Sequence, residues 1–152
     1  MATMLADMPV IVVGADTPAG EAILERLHQP RREVRVFVSD AAKSRELKGR
    51  GFKVALGDVS DESHIEAAAT RAFSAVLIAE AARDARVRSF ADTPSQVFEG
   101  WANAVANSKV NRVIWVTDES YPDTKAKEVA VVDPGDPRLA DRVVELDDAT
   151  SI

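Results

Sequence analysis

A series of short apolar runs, each closed by small or polar residues, alternates along this chain with stretches of helical period. The runs span residues 9–15, 33–40, 52–58, 74–80 and 111–118. They are continuous and rich in β-branched residues, which is typical of strands covered by helices on both faces. Strand–helix alternation at this spacing requires a parallel sheet with right-handed crossovers. The sequence therefore predicts an α/β fold, a doubly wound, Rossmann-like parallel sheet of five or six strands.

The C-terminal part of the chain adds two predicted elements. Residues 128–132 are a candidate sixth strand, and a last helix follows, with Asp136 as its N-cap and Pro137 at its first position. Earlier in the chain, a polar and arginine-rich segment over 81–94 is predicted to be a loop. Thr93 and Pro94 then predict the start of the helix that precedes the fifth strand.

Composition limits the classes of protein that this chain can represent. A length of 152 residues fits one domain over 1–152, and 46% hydrophobic with 29% charged residues is ordinary for a globular protein. The net charge of −6 argues against a nucleic-acid partner, because phosphates require a basic face. The chain contains no cysteine, which excludes disulfides and thiolate catalysis. No spacing of histidine with acidic residues predicts a metal site.

The distribution of apolar residues also predicts where the protein resides. No basic N-terminal region precedes a long apolar core, so we expect no signal peptide. No apolar stretch approaches the roughly 20 residues that a membrane-spanning helix needs. We therefore expect a cytoplasmic protein without a membrane partner.

The first strand–helix corner, VGADTPAGEAI, has the glycine pattern of a phosphate-binding turn. Gly14 and Gly20 hold its outer places, Pro18 suits the first helical turn, and Thr17 is a candidate N-cap. Such a turn lets the backbone approach a pyrophosphate at the positive end of the helix. The same glycines equally suit an ordinary strand-to-helix corner, so this motif leaves both interpretations open.

Several motifs in sequence order resemble the N-terminal part of the NmrA-like atypical short-chain dehydrogenase/reductases. That family opens with a strand and a G-x-x-G-x-x-G turn, matched here by Gly14, Thr17 and Gly20. The segment VRVFVSD followed by a charged helix, the Gly57-Asp58 pair and the stretch VNRVIWVT also match it.

This resemblance implies a Rossmann fold that binds NAD or NADP, or a related adenine nucleotide. It implies that the glycine turn contacts the phosphates and that Asp58 contacts the edge of the adenine. If the chain is an enzyme, the resemblance implies an NAD(P)-dependent oxidoreductase or epimerase.

Three features depart from the family pattern. Thr17 replaces the middle glycine of the turn, and Asp16 adds a carboxylate beside the expected phosphates. Like charges there weaken binding unless Asp16 turns away. Only a short tail follows the fifth strand, where the family continues into a region that binds substrate. These departures leave a degraded cofactor site open as an alternative.

Asp40 bears on the choice of cofactor. It follows the second strand, twenty positions after Gly20, where an acidic residue binds the adenosine ribose hydroxyls of NAD and repels the 2′-phosphate of NADP. The family often carries an arginine near this point, where this chain has Ser39. The sequence thus favours NAD over NADP. The alternative is that Asp40 only caps the next helix, and the two roles are compatible.

Tyr121 and Lys125 have the Y-x-x-x-K spacing that short-chain dehydrogenases use, in which the ammonium lowers the pKa of the phenol. The pairing needs both side chains on one helical face. Pro122 disfavours helical geometry at Tyr121, because a residue before proline is pushed toward extended conformations. The pair is therefore a candidate catalytic site with an argument against it.

Three functions remain open from the sequence. The leading one is an NAD(P)-binding protein that senses the nucleotide or acts as a scaffold, without its own substrate lobe. The second is an oxidoreductase completed by another subunit, with Tyr121 as acid or base. The third is an interaction protein that kept the fold and lost the ligand. A homo-oligomer and a protein partner are compatible with all three.

Overall fold

The computed structural model describes residues 8–28 and 32–152, and within them the strands form a single parallel sheet. The strand order is β3-β2-β1-β4-β5-β6. This arrangement confirms the predicted doubly wound sheet and includes the candidate sixth strand. The strands are β1 (Val10–Val13), β2 (Val34–Val38), β3 (Lys53–Leu56), β4 (Ser74–Ile78), β5 (Arg112–Val116) and β6 (Glu128–Val132).

Helices cover both faces of the sheet. They are α1 (Pro18–Leu27), α2 (Ala41–Gly49), α3 (Glu62–Ala69), α4 (Pro94–Asn107) and α5 (Leu139–Asp148), with a 3₁₀ turn at Ala79–Ala82 directly after β4. Side chains of α1, α2 and α5 share one core with the sheet, and those of α3 and α4 share the other. The order of strands reverses between β1 and β4, which is where ligands bind in doubly wound folds.

The alternation of side chains along each strand divides the two cores. Val10 and Val12 of β1 point into the core of α1, α2 and α5, whereas Ile11 and Val13 point into the other. The β1, β4 and β5 strands are buried along their whole length, which explains their unbroken apolar sequences. The β3 and β6 strands lie at the sheet edges and are partly exposed.

Polar caps begin the helices that follow the first three strands. The side chains of Thr17, Asp40 and Asp61 accept hydrogen bonds from the amides of Gly20, Ala42 and His64. The predicted start of α4 is confirmed, since Thr93 and Gln96 form a reciprocal capping box ahead of Pro94. These caps place every one of these helix N-termini at the carboxyl edge of the sheet.

The predicted start of the last helix is wrong by two residues. The Asp136 carboxylate accepts the N–H of Arg138 at 2.8 Å, and the Asp136 carbonyl accepts the N–H of Leu139. These bonds form an aspartate turn that contains Pro137, so α5 begins at Leu139. Its predicted inner face is confirmed, because Val143 is buried and Leu139 and Leu146 pack against the core.

Gly20 brings α1 into close contact with the end of β1. A Cβ atom at this position would lie 2.6 Å from the Gly14 carbonyl oxygen and 2.7 Å from two backbone atoms of Ala15. Gly14 has a φ of +87°, a conformation that glycine adopts without strain. Both glycines are therefore required by the corner itself, whatever ligand it holds.

We expect Gly20→Ala to lower the free energy of unfolding by about 1–3 kcal/mol, because its Cβ meets backbone that has no room to move. Gly49→Ala at the end of α2 is the matched control, since a Cβ there has no neighbour within 4 Å. That substitution should raise the free energy of unfolding by about 0.4–1 kcal/mol. Urea denaturation measures both variants, and an unchanged midpoint for Gly20→Ala would contradict the prediction.

Candidate functional site

The carboxyl ends of β1, β2 and β3 and the loop after the 3₁₀ turn enclose a cleft of about 930 Å³. Three of its walls are strand–helix corners, and the fourth is the segment 84–87. The lining residues are Asp16, Thr17, Pro18, Glu21, Ser39, Asp40, Lys43, Gly57, Asp58, Asp84, Ala85, Arg86 and Val87. Most of the predicted binding residues are thus brought together, while Gly14 and Gly20 support the turn from behind.

The N-terminus of α1 opens into this cleft. The Thr17 hydroxyl donates to the Gly14 carbonyl at 2.7 Å and accepts the N–H of Gly20 at 3.0 Å, so its side chain is buried beneath the turn. The N–H groups of Thr17 and Ala19 make no hydrogen bond to another described residue. The helix thus presents free amides and its positive dipole end to the cleft, which suits an anionic group.

Asp16 is turned away from that helix end. One carboxylate oxygen accepts the backbone N–H of Ser39 at 2.9 Å, and the other accepts from the Arg86 guanidinium at 2.9 Å. Both side chains are about nine-tenths buried, with exposed fractions of 7% for Asp16 and 10% for Arg86. The carboxylate that the sequence placed beside the phosphates is therefore held in a buried ion pair with Arg86.

Arg86 is a buried residue of the cleft lining that sequence reasoning missed. Its Nε and Nη2 each donate to an oxygen of Asp84 at 2.8 Å, and its Nη1 reaches Ser39 Oγ at 3.4 Å as well as Asp16. Burial disfavours the charge, but the bonds to Asp84 and Asp16 outweigh it and raise the pKa of Arg86. The guanidinium therefore links the glycine turn, the end of β2 and the loop after β4.

Asp58 also binds the loop after β4. One oxygen accepts the N–H and hydroxyl of Ser60 at 2.8 and 2.6 Å, and the other accepts the N–H of Ser89 at 2.7 Å. Burial raises the pKa of Asp58, but these bonds outweigh it, so the pKa lies below its usual value. Asp58 lines the cleft as a loop anchor, and its contact with an adenine edge stays a prediction.

Asp40 caps α2, as one of the two interpretations predicted. Its Oδ1 accepts the N–H of Ala42 at 2.9 Å, and the residue is exposed at the rim of the cleft. The second oxygen makes no hydrogen bond to a described residue, so capping leaves it available. The hydrogen bond from Asp40 to a ribose hydroxyl stays a prediction.

The charge balance of the lining is negative. Asp16, Glu21, Asp40, Asp58 and Asp84 face the cleft, against the cations Lys43 and Arg86. Both cations are engaged, since Lys43 pairs with Glu21 and Arg86 pairs with two aspartates. Among the described residues of the lining, no cation is left without a carboxylate partner.

Tyr121 and Lys125 lie outside this lining, in a segment without helix between β5 and β6. The Tyr121 ring stacks on Trp115 with a centroid distance of 5.4 Å and is 38% exposed. Lys125 has a φ of +57°, and its N–H donates to the Asp123 carboxylate at 2.9 Å. The spacing therefore does not place the two side chains on one helical face, and their catalytic role stays a prediction.

Two further expectations concern metals and membranes. Within residues 8–28 and 32–152, no group of three or more histidine and acidic side chains is arranged to hold a metal ion. No helix in that part of the chain has both the length and the apolar sequence needed to cross a membrane.

A family model described as NAD(P)H-binding matches residues 14–142. The chain belongs to this family. The match covers the glycine turn, the ends of β2 and β3 and the arginine-bearing loop. The cleft lies within the matched residues of this Rossmann-like domain. No curated protein matches the sequence.

Solved structures of this family type share the fold at low sequence identity. The NADPH-dependent quinone oxidoreductase of Escherichia coli in complex with NADPH is 20% identical, with a TM-score of 0.59 over 71% of this chain and 36% of that one. The triphenylmethane reductase of Citrobacter in complex with NADP(H) is 16% identical, with a TM-score of 0.58 over 72% and 37%.

A short-chain dehydrogenase/reductase of Veillonella parvula is 13% identical, with a TM-score of 0.54 over 72% of this chain and 47% of that one. The family match confirms the predicted resemblance at the level of an NAD(P)-binding family, and these structures share the Rossmann-like fold. The chain spans only about a third to a half of the length of these structures.

The Asp84 carboxylate, which pairs with Arg86, should make the free energy of unfolding depend on pH in the acid range. Burial raises the pKa of Asp84, but the bonds from Arg86 outweigh it and hold the pKa below the ordinary 3.8. Because the pKa of Asp84 is lower in the folded state than in the unfolded state, its contribution to stability is complete above the pKa of the unfolded state. That contribution is lost as the pH falls through the pKa of the folded state. We expect wild type and Asp84→Asn to differ in free energy of unfolding by a constant amount from about pH 7 to 5, and by less below about pH 3.8.

Urea denaturation across this range measures the difference. Asp92→Asn is the control, because Asp92 lies in the same loop and forms no ion pair with a described residue. A difference for Asp84→Asn that persists into strong acid, or that already changes near neutral pH, would contradict the assignment.

Proposed function

We propose that this protein binds NAD in the cleft and acts as a nucleotide sensor or scaffold, without reducing a substrate of its own. The observation that carries the proposal is the separation of two sets of residues. Four of the predicted binding residues line the cleft, whereas Tyr121 and Lys125 lie outside it on a segment without helix. Among the described lining residues there is no tyrosine or histidine to move a proton.

The residues of the cleft fit a dinucleotide. The free amides at the start of α1 suit the pyrophosphate, and the ion pair with Arg86 weakens the repulsion that Asp16 would otherwise exert. Asp40 would hold the adenosine ribose through its unused oxygen. A bound nicotinamide would supply hydride chemistry, but the described residues bind and orient the nucleotide only.

Charge supports the preference for NAD. Both cations of the lining already pair with carboxylates, so neither is available for the 2′-phosphate of NADP. That group would bring further negative charge against Asp40. Discrimination between NAD and NADP would therefore arise from repulsion between Asp40 and the 2′-phosphate, together with a ribose hydrogen bond that only NAD can make.

A second candidate is an oxidoreductase whose substrate wall comes from another subunit. The exposed edge of Tyr121 beside Trp115 and the greater length of the similar reductases support it. In that case Tyr121 would meet substrate only in the complete assembly.

Substitution of Tyr121 separates the two candidates. We expect wild type and Tyr121→Phe to bind NAD with the same affinity, and neither to oxidise reduced nicotinamide with a panel of carbonyl substrates, because the described lining of the cleft includes no tyrosine or histidine. Absorbance at the nicotinamide band follows turnover. Activity in the wild type that Tyr121→Phe abolishes would establish the second candidate instead.

Asp40→Ser tests the choice of cofactor. Serine keeps the cap of α2 but removes the carboxylate, and a hydrogen bond to a charged group is worth about 1.5–3 kcal/mol. We expect wild type to prefer NAD over NADP by roughly tenfold or more, and the variant to lose most of that preference. Calorimetric titration with both dinucleotides measures it.

Asp61→Ser is the matched control, because Asp61 caps α3 in the same way and does not line the cleft. It should leave both affinities unchanged. Equal affinity of the wild type for NAD and NADP would refute the ribose role of Asp40, and no binding of either would favour an interaction protein without a ligand.

A further inference from the structure

The cleft extends from the corners after β1, β2 and β3 to the loop after β4. Its described lining comes from the corners after β1, β2 and β3 and from segment 84–87, and it includes no residue of β5 or of the segment after β5. A doubly wound dinucleotide fold consists of two mononucleotide-binding halves with the ligand across the switch point between them. The cleft of this chain therefore takes its lining from the first half and from the loop after β4, and none from the second half beyond that loop.

The region above β4 and β5 is occupied by the chain itself. Arg83 pairs with Glu119 at 3.0 Å and with Asp118 at 3.7 Å, which joins the loop after β4 to the segment after β5. Arg88 donates to the carbonyls of Ala81 and Asp84 at 3.0 and 2.5 Å and folds the loop back onto the 3₁₀ turn.

The 3₁₀ turn beneath is firmly held. Ala79, Ala81 and Ala82 are buried in the core of α3 and α4, and a Cβ on Gly14 would lie 3.0 Å from that of Ala81. The space beyond the loop, about 360 Å³, is lined by Ala82, Arg83 and Arg88 and by the start of α4, and not by the glycine turn. The loop thus separates that space from the cleft.

Inside the cleft, Val87 supplies an apolar surface for a purine base. Its side chain is 77% exposed and lines the cleft together with Gly57. A Cβ on Gly57 would lie 2.3 Å from the His64 ring, so this glycine packs against that ring and adds no side chain to the lining. An apolar wall is what a planar base contacts in a nucleotide pocket.

We propose that the protein holds its ligand only through an adenosine diphosphate moiety, and that the nicotinamide end of a dinucleotide makes no contact with the chain. The inference rests on the proposed function and narrows its ligand to the ADP class, whether free ADP or the ADP part of NAD. The start of α1 holds the diphosphate, Asp40 the ribose and Val87 the base.

Calorimetric titration of the full chain with NAD, ADP and nicotinamide mononucleotide tests the ligand class. We expect ADP to bind within about threefold of NAD, and the mononucleotide to give no measurable heat, because the shared moiety supplies the binding energy. NAD binding tenfold or more tighter than ADP, or measurable binding of nicotinamide mononucleotide, would overturn the inference and leave the proposed function standing. Absence of binding by all three would overturn both.

Saturation-transfer NMR on NAD locates the contact on the ligand. The adenine and adjacent ribose protons should receive saturation, and the nicotinamide protons should receive little. Comparable saturation of both ends would overturn the inference, even if ADP and NAD bound equally well.

Two substitutions in one loop locate the contact on the protein. Val87→Asp should weaken ADP and NAD by the same factor, roughly tenfold or more, because it adds charge to the apolar wall. Phe90→Asp is the matched control, since Phe90 is 68% exposed in the same loop and does not line the cleft. Unequal effects of Val87→Asp on the two ligands, or equal effects of both substitutions, would contradict the assignment.

Discussion

The close contact between α1 and the end of β1 is the constraint on which the site depends. Because Gly20 has no side chain, α1 packs so closely on the turn that a Cβ there would lie only 2.6–2.7 Å from backbone atoms of Gly14 and Ala15. The Thr17 hydroxyl then closes the corner with two hydrogen bonds. The consequence is that the N-terminus of α1 is fixed beside the cleft and cannot move without separating α1 from the end of β1.

A second constraint is the buried charge that ties three chain segments together. Arg86 reaches both Asp16 and Asp84, and each of these side chains is mostly withdrawn from solvent. Buried ion pairs add little net stability, but removing one partner leaves an uncompensated charge that costs about 3–5 kcal/mol. The contribution of this triad is therefore to hold one arrangement of the loop over the cleft. It also explains how a carboxylate is tolerated at the mouth of a phosphate-binding turn.

The sequence was most informative about features that depend on residues close together in the chain. Strand positions followed from continuous apolar runs, and the caps Thr17, Asp40 and Thr93 followed from their side-chain oxygens beside helix starts. The start of α5 was misjudged because Asp136 bonds to an amide two residues on and forms a turn of its own. A helix cap and an aspartate turn both involve residues that are close in sequence, and only the backbone geometry distinguishes one from the other.

By itself, the sequence determined the parallel sheet, its helical layers and the two glycines of the first corner, since each follows from periodicity or from the conformational freedom of a residue. Only the tertiary structure decided what the polar side chains do. Asp16 meets an arginine 70 positions away, and Asp58 meets the backbone of Ser89, 31 positions away. Such pairings depend on where the loop after β4 lies over the sheet, and no local sequence pattern predicts the position of that loop. For the same reason, the separation of Tyr121 from the cleft became visible only in the folded chain.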